Sequence, residues 1–275
     1  MTYLVFAGVV VLLVLTLAGL ALMGVGVVRI LSDLVLELRA RRLQPESADE
    51  ELLERAVAVV ERISSRAGVD APAVLVVPLL GRPFPGPQRR SVGTGGLAVT
   101  RFTPRQQIRV VFARAAVTDL STAALANLVA HELGHVIRYR TRTGRVRHYA
   151  WAIGFLLVTF FMAAWMVATQ SGAMLVATAV VALAYLVIRT FWQRREEAAA
   201  DLFAISLTSD LAGTEELMRF YEENMRDEPL PEGRLRRALA HFEQRWLATH
   251  PEPQQRLQAM RQHLAHAAAT HPTRP

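Results

Sequence analysis

Two blocks without a charged side chain, residues 1–28 and 149–188, dominate the hydropathy pattern of the chain. Leu4–Val28 is long enough to cross a hydrocarbon core of about 30 Å as one helix. A cleaved signal peptide would start with basic residues and carry a shorter apolar run, so the pattern predicts a retained span. The second block is too long for one span and suits two, divided by the polar break Thr169-Gln170-Ser171-Gly172. It predicts a helical hairpin, Tyr149–Ala168 and Ala173–Trp192, with Arg189 reaching back to the interface.

Other periodicities lie between and after these blocks. The first helix is expected to run on to about Leu43 and to break at Gln44-Pro45-Glu46. Ser47-Ala48-Asp49-Glu50 reads as a capping box, opening a helix with Leu53, Ala56, Val57, Val60 and Ile63 on one face. Gly68 stops that helix. Ala73–Val77, Gly96–Thr100 and Ile108–Ala113 read as strands, and the Gly-, Pro- and Arg-rich run between Leu79 and Gly96 as a loop. A helix capped by Ser121 or Thr122 then carries Leu125, Leu128 and Val129 on one side. After the hairpin, helices are expected through Phe203 and Leu207, over about Thr214–Met225, over Glu232–Leu247, and from Pro251 to about Ala267. The pattern predicts an α+β, mostly helical protein. Its expected segments are a span at 1–28, a polar part with a small sheet at 29–148, the hairpin at 149–192, a helical part at 193–267 and a tail at 268–275.

Composition narrows the picture. An apolar fraction of 52% excludes a disordered chain. The absence of cysteine excludes a disulfide framework, a thiolate metal site and a cysteine nucleophile. Net charge is +7, and all 31 basic residues are Arg, a codon-composition effect that carries no function. Position matters more than sum. Arg29, Arg39, Arg41 and Arg42 follow the first block. Arg138, Arg140, Arg142, Arg145 and Arg147 precede the second, and Arg189, Arg194 and Arg195 close it. Every cluster falls on one side of the expected spans, the cytoplasmic side by the positive-inside rule, with the N-terminus outside. The bilayer thus accounts for the charge. No zinc-finger or helix-turn-helix signature and no basic stripe interleaved with aromatics points to nucleic acid.

The candidate chemistry lies in His131-Glu132-Leu133-Gly134-His135. Spacing of four on a helix puts both imidazoles on one face, where they can share one zinc ion. Glu132 can then turn its carboxylate to a water on that ion and act as general base. Gly134 leaves room for another element to approach. A catalytic zinc needs a third protein ligand and an open position. No third His follows at compact spacing, which leaves Glu197 and its neighbour Glu196 as candidates. Asp201, four residues after Glu197, shares its helix face and can accept the free N–H of a ligating imidazole. His148 reads as a membrane-interface residue, His241 falls on an expected helix, and His263 and His266 read as surface residues.

The order His-Glu-Leu-Gly-His, two apolar segments, Glu197-Ala198-Ala199-Ala200-Asp201, then His250-Pro251 with Arg256 resembles the integral-membrane zinc endopeptidases of the HtpX and CAAX prenyl protease group. The bacterial HtpX-like branch is the nearer likeness, running from about Ser47 to Leu264, with Arg66-Ala67-Gly68-Val69 and Pro72 as its lead-in. The resemblance implies a gluzincin-like peptidase domain with the hairpin inserted between its metal-ligand helices. It implies one zinc ion per chain held by His131, His135 and Glu197, with Asp201 behind them. It also implies that His250 stabilises the oxyanion and that Arg256 approaches the site, pairing with an acidic residue near the zinc or facing the substrate. Protein or peptide substrates follow, among them misfolded membrane proteins, at the cytoplasmic face of a bacterial inner membrane. The chain departs from the group in having one span before the catalytic helix and no Asn-Ala pair between Gly81 and Thr100. Gly96–Thr100 is the expected substrate-facing edge strand. A BlaR-type sensor peptidase, an intramembrane site-2 protease and a non-catalytic membrane scaffold are the alternative readings. The His250–Arg256 motif opposes the first, the polar flanks of the catalytic helix the second, and Glu132 the third.

Overall fold

The computed structural model describes residues 50–78, 80, 96–102, 108–141, 154, 157, 161, 165, 172–225 and 252–270. The chain divides into two compact units. One comprises residues 1–42, 142–192 and 242–248; the other comprises 43–141, 193–241 and 249–275.

The second unit begins with α1, Glu50–Ala67, whose buried face is Ala56, Val59, Val60 and Ile63. Acidic Glu50 and Glu51 sit in its first turn and Arg66 in its last, each complementing the helix dipole. Gly68 ends it at φ +67°, a backbone that only glycine adopts without strain. The Val69 N–H closes the turn on the Ser64 carbonyl at 3.0 Å. Strands β1 (Ala73–Val77), β2 (Ala98–Phe102) and β3 (Ile108–Ala113) follow. They form a sheet in the order β1-β3-β2, with β1 parallel and β2 antiparallel to β3. Strand β2 starts two residues later than the pattern predicts and reaches Phe102. Gly96, at φ +81°, forms only an isolated bridge before the strand begins.

One short helix, α2 (Arg114–Thr118), leads into α3 (Thr122–Arg140). Ser121 caps α3 by accepting from the Ala124 N–H at 3.1 Å. The Arg55 guanidinium ties α1 to this corner through the carbonyls of Val117 and Leu120. Helix α4 runs unbroken from Gly172 to Thr208, merging the second hairpin arm and the helix expected after it. Its residues from 193 onward belong to the second unit. Helix α5 (Leu211–Met225) starts three residues earlier than predicted, because the Asp210 carboxylate accepts from the Gly213 N–H at 3.0 Å and caps it. Helix α6 spans Pro253–Thr270, with Pro253 rather than Pro251 at its first position.

The core of this unit lies between one sheet face and the helices. Val60, Leu97, Val110, Phe112, Leu125, Leu128, Leu133 and Ile205 are among its fully buried side chains. Helix α3 is buried on nearly all sides, so burial inverts the usual polar rule there: His131 and Glu132 are in the interior and must find partners.

Among the described residues, no helix is long and apolar enough to cross a membrane. The expected first span, most of the first hairpin arm, the capping box at 47–49 and the helix expected over Glu232–Leu247 lie outside the described residues.

Candidate metal and catalytic site

Helix periodicity builds one half of the site. His131 and His135 come off one face of α3, ring centroids 4.9 Å apart and planes at 85°. Their Nε2 atoms approach to 3.2 Å. Helix α4 supplies the other half. The Glu197 carboxylate lies 3.3 Å from His131 Nε2 and 3.4 Å from His135 Nε2. Of the two glutamates that the sequence offers, Glu197 is the one brought to the histidines.

Close helix approach makes this possible. A Cβ on Gly134 would stand 3.0 Å from Ala200 Cα and 3.2 Å from Ala200 Cβ. Gly134 therefore lets α4 lie directly against the turn that carries both histidines. A second contact fixes α5. The buried Asn127 amide donates to the carbonyls of Ala123 and Asp210 and accepts from the Thr208 and Thr214 hydroxyls. One side chain of α3 thus satisfies the end of α4 and the start of α5.

Behind His131 stands a chain of buried charge. Asp201 Oδ1 is 2.8 Å from His131 Nδ1. The Arg256 guanidinium grips Asp201 with both prongs, Nε to Oδ2 at 2.7 Å and Nη2 to Oδ1 at 2.6 Å. Burial favours a neutral Asp201, but the Arg256 and His131 hydrogen bonds outweigh it and hold the carboxyl down to about 2. Burial likewise opposes charge on His131, yet the Asp201 and Glu197 carboxylates raise it to about 10. The surrounding carboxylates thus favour positive charge at this position, whether it is a proton on the imidazole or a cation bound at Nε2.

The donor set fits a zinc ion. Metal–ligand bonds of roughly 2.0–2.2 Å put tetrahedral ligand atoms roughly 3.3–3.6 Å apart. The three separations seen here are 3.2, 3.3 and 3.4 Å. With Nδ1 engaged by Asp201, the His131 proton belongs on that nitrogen and the Nε2 lone pair faces the other donors.

Two residues of this centre were not singled out from the sequence. Tyr221 on α5 lies under the Arg256 guanidinium, 5.7 Å from its ring centroid. Burial pushes its phenol above the ordinary range; Arg256 opposes this, while Glu132, Glu197 and Asp201 add to it. Nothing in the pattern of an amphipathic helix marks such a tyrosine. Thr100 on β2 contacts Glu132, its Oγ1 2.6 Å from Oε2 and 3.2 Å from the Glu132 carbonyl. His250 lies outside the described residues. His263 is taken up by Ser206, Nε2 to Oγ at 2.8 Å.

Two histidines one turn apart, an acid beside the first and a carboxylate from a second helix define the class of helix-borne His-Glu-x-x-His metallopeptidase sites. The chain belongs to peptidase family M48, whose description matches residues 101–264, more than half of its length. No curated protein matches the chain, and no solved structure does. The chain is a peptidase, and proteins or peptides are its substrates.

Proposed function

We propose that the protein is a membrane-anchored, zinc-dependent endopeptidase with its catalytic unit on the cytoplasmic side. The observation that carries the zinc reading is the convergence of His131, His135 and Glu197, whose ligand atoms all lie within 4.8 Å of one another. Bound there, zinc would supply a Lewis acid for the scissile carbonyl and an acidified water as nucleophile. Glu132 would serve as the general base for the attacking water and as the general acid for the leaving amine. Asp201 holds the proton of His131 on Nδ1, and Arg256 keeps Asp201 charged and in place. Metal analysis and proteolysis assays test this. Purified protein should carry one zinc per chain, and Glu197→Ala should lose it. Glu132→Gln should keep the metal and lose about 10²–10⁴-fold in kcat. Proteolysis undiminished in Glu132→Gln would remove the proposed base.

Membrane anchoring is supported by the two uncharged blocks and by the side on which the arginines fall. It also agrees with exposed large apolar side chains at Leu157, Phe161, Trp165, Val180, Ile188 and Phe191, all within the expected hairpin. The likeness to HtpX-like enzymes suggests misfolded membrane proteins as clients. Cross-linking in membranes with Glu132→Gln as a substrate trap, followed by identification of captured proteins, tests that class directly.

A further inference from the structure

Thr100 is where the edge of the sheet meets the buried face of α3. The strand register pairs it with Val110 and alternates Ala98, Thr100 and Phe102 on one side with Val99 and Arg101 on the other. Ala98 packs into the main core with Val110 and Phe112. Val99 packs with the smaller cluster of Val77, Leu80, Val111 and Ala113 on the opposite face. Thr100 therefore directs a hydroxyl into the layer between sheet and catalytic helix, where an apolar residue would be expected. Its Oγ1 lies within reach of two oxygens of Glu132, 2.6 Å from Oε2 and 3.2 Å from the carbonyl. A hydroxyl has one proton, and the shorter bond to a charged acceptor is the stronger. The proton goes to Oε2, which leaves Oε1 as the oxygen for exchange with water.

The backbone of the same residue faces the other way. The Ala113 N–H donates to the Leu97 carbonyl at 2.8 Å, which sets the phase of the antiparallel ladder. By alternation Val99–Val111 and Arg101–Arg109 are the mutually bonded pairs. Ala98, Thr100 and Phe102 then turn their N–H and C=O groups away from β3, toward an edge that no strand covers among the described residues.

We propose that Thr100 is a positioning residue for Glu132, holding one carboxylate oxygen from the strand whose free edge receives the substrate. This rests on the reading of Glu132 as general base. Substrate pairing through the Thr100 backbone then registers the scissile bond against the carboxylate that the Thr100 side chain orients. The strand that aligns the peptide and the side chain that aligns the base are one residue.

Steady-state cleavage of a quenched fluorogenic peptide by the full-length protein tests this, with zinc content and thermal unfolding followed in parallel. Thr100→Val keeps the shape and the strand preference while removing the donor. It should lower kcat about 10-fold, short of the full loss of a base, with KM within about 2-fold and zinc unchanged. Thr100→Ser should recover most of the rate. In a Glu132→Gln background Thr100→Val should cost nothing further, whereas a merely structural role would still cost activity there. If Val impairs folding, Thr100→Ser against Thr100→Ala repeats the comparison with two smaller side chains. An unchanged kcat in Thr100→Val, or a loss confined to KM, overturns the positioning role while Glu132→Gln is inactive. Activity in Glu132→Gln itself overturns the underlying reading instead.

Discussion

Asp201 answers to two masters, a histidine and an arginine, and the three groups are buried together. A buried carboxylate left with one partner is costly, so the consequences of mutation differ by position. Arg256→Met strands the Asp201 charge, and breaking a buried pair this way typically destabilises by about 3–5 kcal/mol. Arg256→Lys should not rescue it, because one ammonium cannot make both the 2.7 Å and the 2.6 Å contact of the fork. Asp201→Asn removes the charge and loosens the hold on His131 Nδ1. Loss of such a support typically weakens metal binding about 10–100-fold. Competition with a chromophoric chelator measures it, alongside thermal unfolding of Arg256→Lys. Wild-type zinc affinity in Asp201→Asn would show that the imidazole is oriented by something else.

At the level of elements, two glycines set how closely helices approach α3, and only one of those helices carries ligands. A Cβ at Gly213 would lie 2.8 Å from both the Ala123 carbonyl carbon and Asn127 Nδ2, so α5 has to move. A Cβ at Gly134 meets the backbone of Ala200 at 3.0 Å, so α4 has to give by a few tenths of an ångström. Overpacking of this kind costs about 1–3 kcal/mol. The better helix propensity of Ala returns only about 1 kcal/mol. Both Gly→Ala variants should therefore unfold at lower temperature. Only Gly134→Ala should also weaken zinc binding, since its clash displaces the helix that presents Glu197 and Asp201. Equal zinc affinity in the two variants would separate helix spacing from ligand placement and refute this account.

For the molecule as a whole, the topology is open to a simple measurement because the chain has no cysteine of its own. Single cysteines placed at Ser171 and at Thr273 sit on opposite sides of the membrane in the proposed arrangement. An impermeant maleimide added to intact cells should label the first and spare the second until the cells are lysed. Labelling of the cysteine at Thr273 in intact cells would invert or abolish that topology.

What the sequence determined by itself is what short-range periodicity controls. Spacing of four puts His131 and His135 on one face, short β-branched apolar runs mark β1 and β3, and Gly68 and the Ser121-Thr122 pair bound their helices. These depend on neighbours a turn or a pleat away. Three features are beyond periodicity, although the family resemblance already favours Glu197 and an acidic partner for Arg256. Glu196 and Glu197 differ by one residue, about 100° around a helix, and only the seating of Ala200 against Gly134 turns the second toward the histidines. The Arg256–Asp201 fork and the Thr100–Glu132 hydrogen bond join residues 55 and 32 positions apart. Such contacts leave no local period to read. They exist because burial of α3 removes water from its polar groups and obliges the packed sheet and helices to supply their partners.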